Sequence, residues 1–119
     1  MATAEAEIRA IDETLSWAHD EVGLTYDQIG GILAVSERTL RRWRQEQHVP
    51  RPRQKERIED LRELKYVLRE VFPEPAAREL WLHSPSRLLR GRSPISLLRR
   101  GQVSRVASAL ATLESGAFT

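Results

Sequence analysis

The sequence predicts an all-α protein: an N-terminal helix, two short helices joined by a tight turn, a long central helix and a small C-terminal helical region. Three observations carry that prediction. Apolar residues recur at three- and four-residue steps along five segments, and no segment shows a convincing strand-like alternation. Residues suited to helix starts, Thr25 and Ser36, stand directly before two of the segments. The prolines of "HVPRPR" and "PEP" separate the long segment from its neighbours.

The first helix fills residues 1–22, with Ile8, Ile11, Leu15, Ala18 and Val22 on one face and Glu5, Glu7, Arg9, Asp12, Glu13 and Asp20 elsewhere. Gly23 ends it. Trp17 on this helix is a candidate for packing between two copies of the chain. Thr25 with Gln28 three residues on forms a capping box, opening a short helix that carries Ile29, Ile32 and Leu33. Ser36 caps the next, whose inward residues are Thr39, Leu40 and Trp43. "HVPRPR" then breaks helicity, because Pro50 and Pro52 lack a backbone donor and push the preceding residues toward extended conformations. The fourth helix, residues 54–72, has a stripe of Ile58, Leu61, Leu64, Val67, Leu68 and Val71 wide enough to pack on two sides. After "PEP" comes a Pro- and Gly-punctuated stretch, and a last helix over about 102–114 presents Val103, Val106, Ala107, Leu110 and Leu113 on one face. The expected organisation is an N-terminal helix (1–22), a helix pair (23–53), a central helix (54–75) and a C-terminal domain (76–119).

Composition removes several function classes. With 119 residues, 40% of them apolar, the chain can bury roughly two-thirds of its unfolded surface without a disulfide or metal. It has no cysteine, which excludes thiolate zinc sites and cysteine catalysis. Three scattered histidines, His19, His48 and His83, lack the paired spacing of a metal site or a nucleophile's base, so each reads as solvated or core. "GLTYDQIGG" has neither a preceding strand nor the Lys-Ser or Lys-Thr pair of a phosphate-binding loop. An enzyme is therefore not expected, nor a cofactor or metal. No apolar run approaches the roughly 20 residues of a membrane span and the N-terminus does not resemble a signal peptide, so a soluble, cytoplasmic protein without a membrane partner is expected.

The net charge of +2 hides an uneven distribution. Residues 1–35 hold one arginine against seven acidic residues, whereas 36–57 hold eight Lys and Arg against three acids and 84–119 hold six arginines against one. The first basic block coincides with the paired short helices, the arrangement of a helix-turn-helix, in which Gly30 permits close crossing and Ile29, Leu33, Val35, Leu40 and Trp43 form a miniature core. Ser36, Arg38, Arg41, Arg42 and Arg44 then lie at the start and on the outer faces of the second helix, where a recognition helix meets the major groove. Arg38, Arg41 and Arg42 are candidates for reading guanine edges. Ser36 and Arg44, with Arg51 and Arg53, are candidates for phosphate contact.

"LTYDQIGGILAVSERTLRRW" resembles the Xre-like helix-turn-helix of phage and plasmid repressors. From Trp81 onward, "WLHSPSRLLRGRSPISLLRRGQVSRVASALATLESGAF" resembles the toxin-binding domain of the Xre/MbcA/ParS-like antitoxins. The matching positions are Trp81, Pro85, Leu88, Leu89, Gly91, Pro94, Leu97, Leu98, Gly101, Val106, Leu110, Gly116 and Phe118. This resemblance implies an antitoxin that binds a RES-domain, NAD-consuming toxin, occludes its active site with Gly116, Ala117, Phe118 and Thr119, and represses its own operon by binding operator DNA. A homodimer or a larger hetero-oligomer with the toxin is the expected assembly. Arg87, Arg90, Arg92, Arg99 and Arg100, with Arg105, admit three readings: contact with acidic toxin surface, added DNA contact, or solubility of a Leu-rich region. Trp81, Leu88, Leu89, Leu97 and Leu98 read as core or as toxin interface. The alternative function is a stand-alone helix-turn-helix transcriptional regulator whose C-terminal region dimerises or senses.

Overall fold

Helix α1 (Ala4–Ser16) opens the chain, with Glu5 and Glu7 in its first turn, where negative charge complements the helix dipole. These coordinates come from a computed structural model that describes residues 4–46 and 50–116. α1 runs into a π-helical turn (Trp17–Glu21), in which the Val22 N–H reaches back five residues to the Trp17 carbonyl at 3.1 Å. The wider turn carries Trp17, Ala18 and Val22 together into the interior. Trp17 is only 6% exposed, so it belongs to this chain's own core and is not available to pack against a second copy. Gly23 stops the segment in the left-handed region (φ +87°).

α2 (Tyr26–Leu33) begins as its residues dictate. The Thr25 hydroxyl accepts from the Gln28 N–H at 3.1 Å while the Thr25 N–H donates to the Gln28 side chain at 2.9 Å. α3 (Glu37–Glu46) is capped by Ser36, whose hydroxyl oxygen accepts from the Thr39 N–H at 3.1 Å. Between them Ala34 adopts a left-handed backbone (φ 59°, ψ 42°), closing the turn with the Val35 N–H on the Gly30 carbonyl at 2.9 Å. Gly30 has to be glycine here: a Cβ would lie 2.6 Å from the Val35 carbonyl oxygen.

α4 (Pro52–Val71) starts two residues before the sequence-based boundary because Pro52 occupies its first turn, where a missing N–H costs nothing. The same device opens α5 (Pro75–His83) and α6 (Pro94–Arg99), two short helices that the sequence reading left as a punctuated stretch. A 3-10 turn (Arg87–Leu89) lies between them, and α7 (Val103–Glu114) closes the described chain. The fold is all-α; among the described residues the one β-type pairing is an isolated bridge between Ser86 and Arg92. α4 is the axis: α7 packs along it most extensively, and α1 and α2 also pack on it. Leu61, Leu64 and Leu68 of α4 and Val106 and Leu110 of α7 are almost fully buried, and the buried apolar residues from Leu15 to Leu110 form one continuous cluster.

Candidate functional site

The first basic block folds as a helix-turn-helix, with α2 and α3 packed through Ile29, Leu33 and Leu40, all buried. Ser36 is exposed at the start of α3, and its hydroxyl also donates to Thr39 Oγ1 at 3.0 Å. Arg38 is exposed and has no hydrogen-bond or ion-pair partner among the described residues. Arg41 pairs with Glu37 at 2.9 Å and Arg42 with Glu46 at 3.7 Å, one turn away in each case. Both arginine side chains keep 60% or more of their surface in solvent, where such pairs hold weakly and exchange readily for another anion. Arg51 and Arg53 are exposed where α4 begins, and a groove of about 250 Å³ runs between Thr39 and Arg42 on one side and Arg51 and Gln54 on the other.

Arg44 is placed differently. Its guanidinium donates to Asp12 at 3.0 Å and Ser16 at 3.2 Å on α1 and to the Tyr26 hydroxyl on α2, while lying 5.4 Å above the Tyr26 ring. Burial opposes its charge, but the hydrogen bonds to Asp12 and Tyr26 outweigh burial and raise its pKa further above the usual arginine value. Arg44 therefore straps α3 to α1 and α2. The other face of the Tyr26 interaction is His19, stacked on the ring at 4.1 Å and donating Nδ1–H to the Leu24 carbonyl at 2.9 Å.

A second polar centre joins the N-terminal and C-terminal halves, and sequence reasoning missed it. Arg78 on α5 is 8% exposed. It donates to the carbonyls of Phe72 and Pro73, both at 2.9 Å, and pairs with Glu21 of the π turn at 3.0 Å. Arg69 reaches the same Glu21 carboxylate at 3.3 Å. The available signal was register: Arg78 stands four residues before buried Leu82, on the inward face of α5.

The second basic block lies on the C-terminal half. Arg87, Arg90 and Arg92 are exposed on one tight loop, and Arg99 and Arg100 are exposed where α6 ends. Gly101, left-handed at φ +78°, turns the chain there beside Gly31 of α2, whose carbonyl would lie 4.0 Å from an added Cβ. Leu89, Leu97 and Leu98 are buried and Leu88 is half-buried against the same core. Trp81 is half-buried too, its ring 5.6 Å from that of Phe72. Gly116 follows α7 in the left-handed region (φ +69°), exposed; Ala117, Phe118 and Thr119 lie outside the described residues. Among the described residues no group of three metal-ligating side chains is placed to hold an ion, and no helix is long and apolar enough to cross a membrane.

Residues 67–116 match the family model described as the antitoxin Xre/MbcA/ParS C-terminal toxin-binding domain. Mycobacterial cidal antitoxin MbcA of Mycobacterium tuberculosis is 35% identical over 111 residues, covering 93% of this chain and 97% of that protein. A probable mycobacterial cidal antitoxin of the same organism is 32% identical over 96 residues, 81% of each chain. A chain in the crystal structure of the M. tuberculosis MbcT–MbcA toxin–antitoxin complex superposes with a TM-score of 0.60 at 30% identity, covering 95% of this chain and 97% of that one.

Proposed function

The chain belongs to the Xre/MbcA/ParS antitoxin family, and from that premise we propose that it neutralises a RES-domain, NAD-consuming toxin and represses its own operon. The observation that carries the first half is the likeness over 95% of the chain to a chain seen in a toxin–antitoxin complex. The toxin-binding match includes α7 and ends at residue 116, directly before the tail. In this reading α7 is a rigid stem, and Gly116 releases a short tail whose Phe118 and terminal carboxylate fill the toxin's active-site entrance. One buried aromatic is the kind of anchor that dominates an interface.

Operator binding is assigned to residues 23–53. Arg38, Arg41 and Arg42 reach base edges from α3 while Ser36, Arg51 and Arg53 meet phosphates, and Arg44 fixes the angle of α3 from behind. The central helix (54–75) connects this unit to the toxin-binding part (76–119). The protein acts in the cytoplasm, as a dimer or in a larger assembly with the toxin.

Co-expression with a RES-domain protein encoded beside it, followed by purification and an NAD assay, tests the reading. The expected result is a stable complex that leaves NAD intact, and a truncation lacking residues 116–119 that binds operator DNA normally yet permits NAD loss. No complex would overturn the antitoxin assignment and leave a stand-alone regulator. Full inhibition by the truncated chain would remove the tail from the mechanism.

A further inference from the structure

The loop that carries Arg87, Arg90 and Arg92 is built more rigidly than a solvated arginine cluster requires. The Ser86 N–H donates to the Arg92 carbonyl at 3.0 Å, while the Ser86 carbonyl accepts from Leu89 at 3.0 Å and from Gly91 at 2.8 Å. Leu89, 2% exposed, anchors the loop in the core. Arg90 holds a left-handed backbone (φ 56°, ψ 38°), a conformation unfavourable for a residue with a Cβ and one in which glycine would be at ease. An arginine kept there is explained by what its side chain does. None of the three guanidinium groups has a hydrogen-bond or ion-pair partner among the described residues. The same loop packs on α7, and between them runs an open groove of about 290 Å³ floored by Leu88, Leu89 and Ala109 and edged by Ser104, Ser108 and Thr112.

We propose that this face, the Arg87–Arg90–Arg92 loop with the groove along α7, is the docking surface for an acidic segment of the toxin that places one apolar side chain in the groove. The inference rests on the antitoxin reading and adds where and by what chemistry the toxin is recognised. Charge selects the partner: three cations without internal acids attract carboxylates and accelerate association, and the fixed loop holds them without further ordering on binding. The apolar floor favours a protein over a nucleic acid, because a phosphate backbone has nothing to place against Leu88 and Leu89. Position agrees, since α7 leads into Gly116, so a toxin held along α7 lies beside the tail.

The test uses the full chain and the co-expressed RES-domain protein, with association measured by surface plasmon resonance over a series of salt concentrations. The triple reversal Arg87→Glu, Arg90→Glu and Arg92→Glu is expected to weaken toxin binding by roughly 100-fold, mainly through slower association, and to abolish its salt sensitivity. Operator binding should be unchanged. Arg90→Gly guards against simple misfolding: glycine suits the backbone, so its thermal midpoint should equal or exceed that of the parent while toxin affinity falls by about 10-fold. Parental affinity in both variants overturns the docking surface and leaves the antitoxin reading standing. Loss of operator binding with toxin affinity kept assigns the arginines to DNA and overturns it equally. Failure of the parent chain to bind the RES-domain protein overturns the antitoxin reading and this inference with it.

Discussion

Ala34 and Gly30 sit on either side of the same turn and make opposite demands. Ala34 is left-handed where glycine is favoured, so Ala34→Gly should raise stability by up to about 1 kcal/mol, read as a higher urea midpoint with unchanged slope. Gly30→Ala drives a Cβ to within 2.6 Å of a backbone oxygen that the turn holds in place; a loss of about 1–3 kcal/mol is expected in the same experiment. Arg78 belongs to this scale as well. Truncating it to alanine strands two carbonyls at the end of α4 and leaves Glu21 with Arg69 alone, which should cost about 2 kcal/mol, less than a fully buried pair because Glu21 stays one-third exposed.

Among the elements, α3 shows how a helix rich in arginine divides its work. Arg44 is held by α1 and α2, whereas Arg38 has no internal partner, so the two should respond differently in operator binding. Arg38→Ala is expected to flatten the logarithmic salt dependence by about 0.9 if it meets a phosphate. Arg44→Ala should leave that slope alone and instead raise amide exchange in α3. The raised pKa of Arg44 means its contribution is complete at every pH below the ordinary arginine value and is lost only above it, so α3 protection should not change across the neutral range. Much of this was legible beforehand, because caps are local: Thr25 with Gln28, and Ser36 with Thr39, act over three residues and can be read in order. What escaped depends on longer range or on ambiguity. Proline before a helix and proline inside one look alike in a string, so α5 and α6 were passed over although Pro75 and Pro94 open them. Arg78 reads as surface by residue type, and only the fold shows the carbonyls it serves. Arg44 reads as one more outward cation until α1 is brought beside α3.

For the molecule as a whole, the decisive fact is that the helix-turn-helix and the toxin-binding half share one hydrophobic cluster built on α4 and α7. Leu110→Ala, in the middle of it, should cost about 3–4 kcal/mol and lower operator and toxin binding together. Circular dichroism should then show a single unfolding transition at a reduced midpoint; two separated transitions would mean that the halves fold independently. The charge map divides along the same body, with the acids concentrated on α1 and the π turn and the partnerless arginines of the C-terminal loop beyond α4. The π turn that sets Glu21 against Arg69 and Arg78 has a genealogical consequence. A helix gains such a turn by the insertion of one residue, so an α-helical relative lacking it should align with a one-residue gap between positions 17 and 21. Where that gap occurs, the acidic partner of the α5 arginine should have disappeared or moved with it.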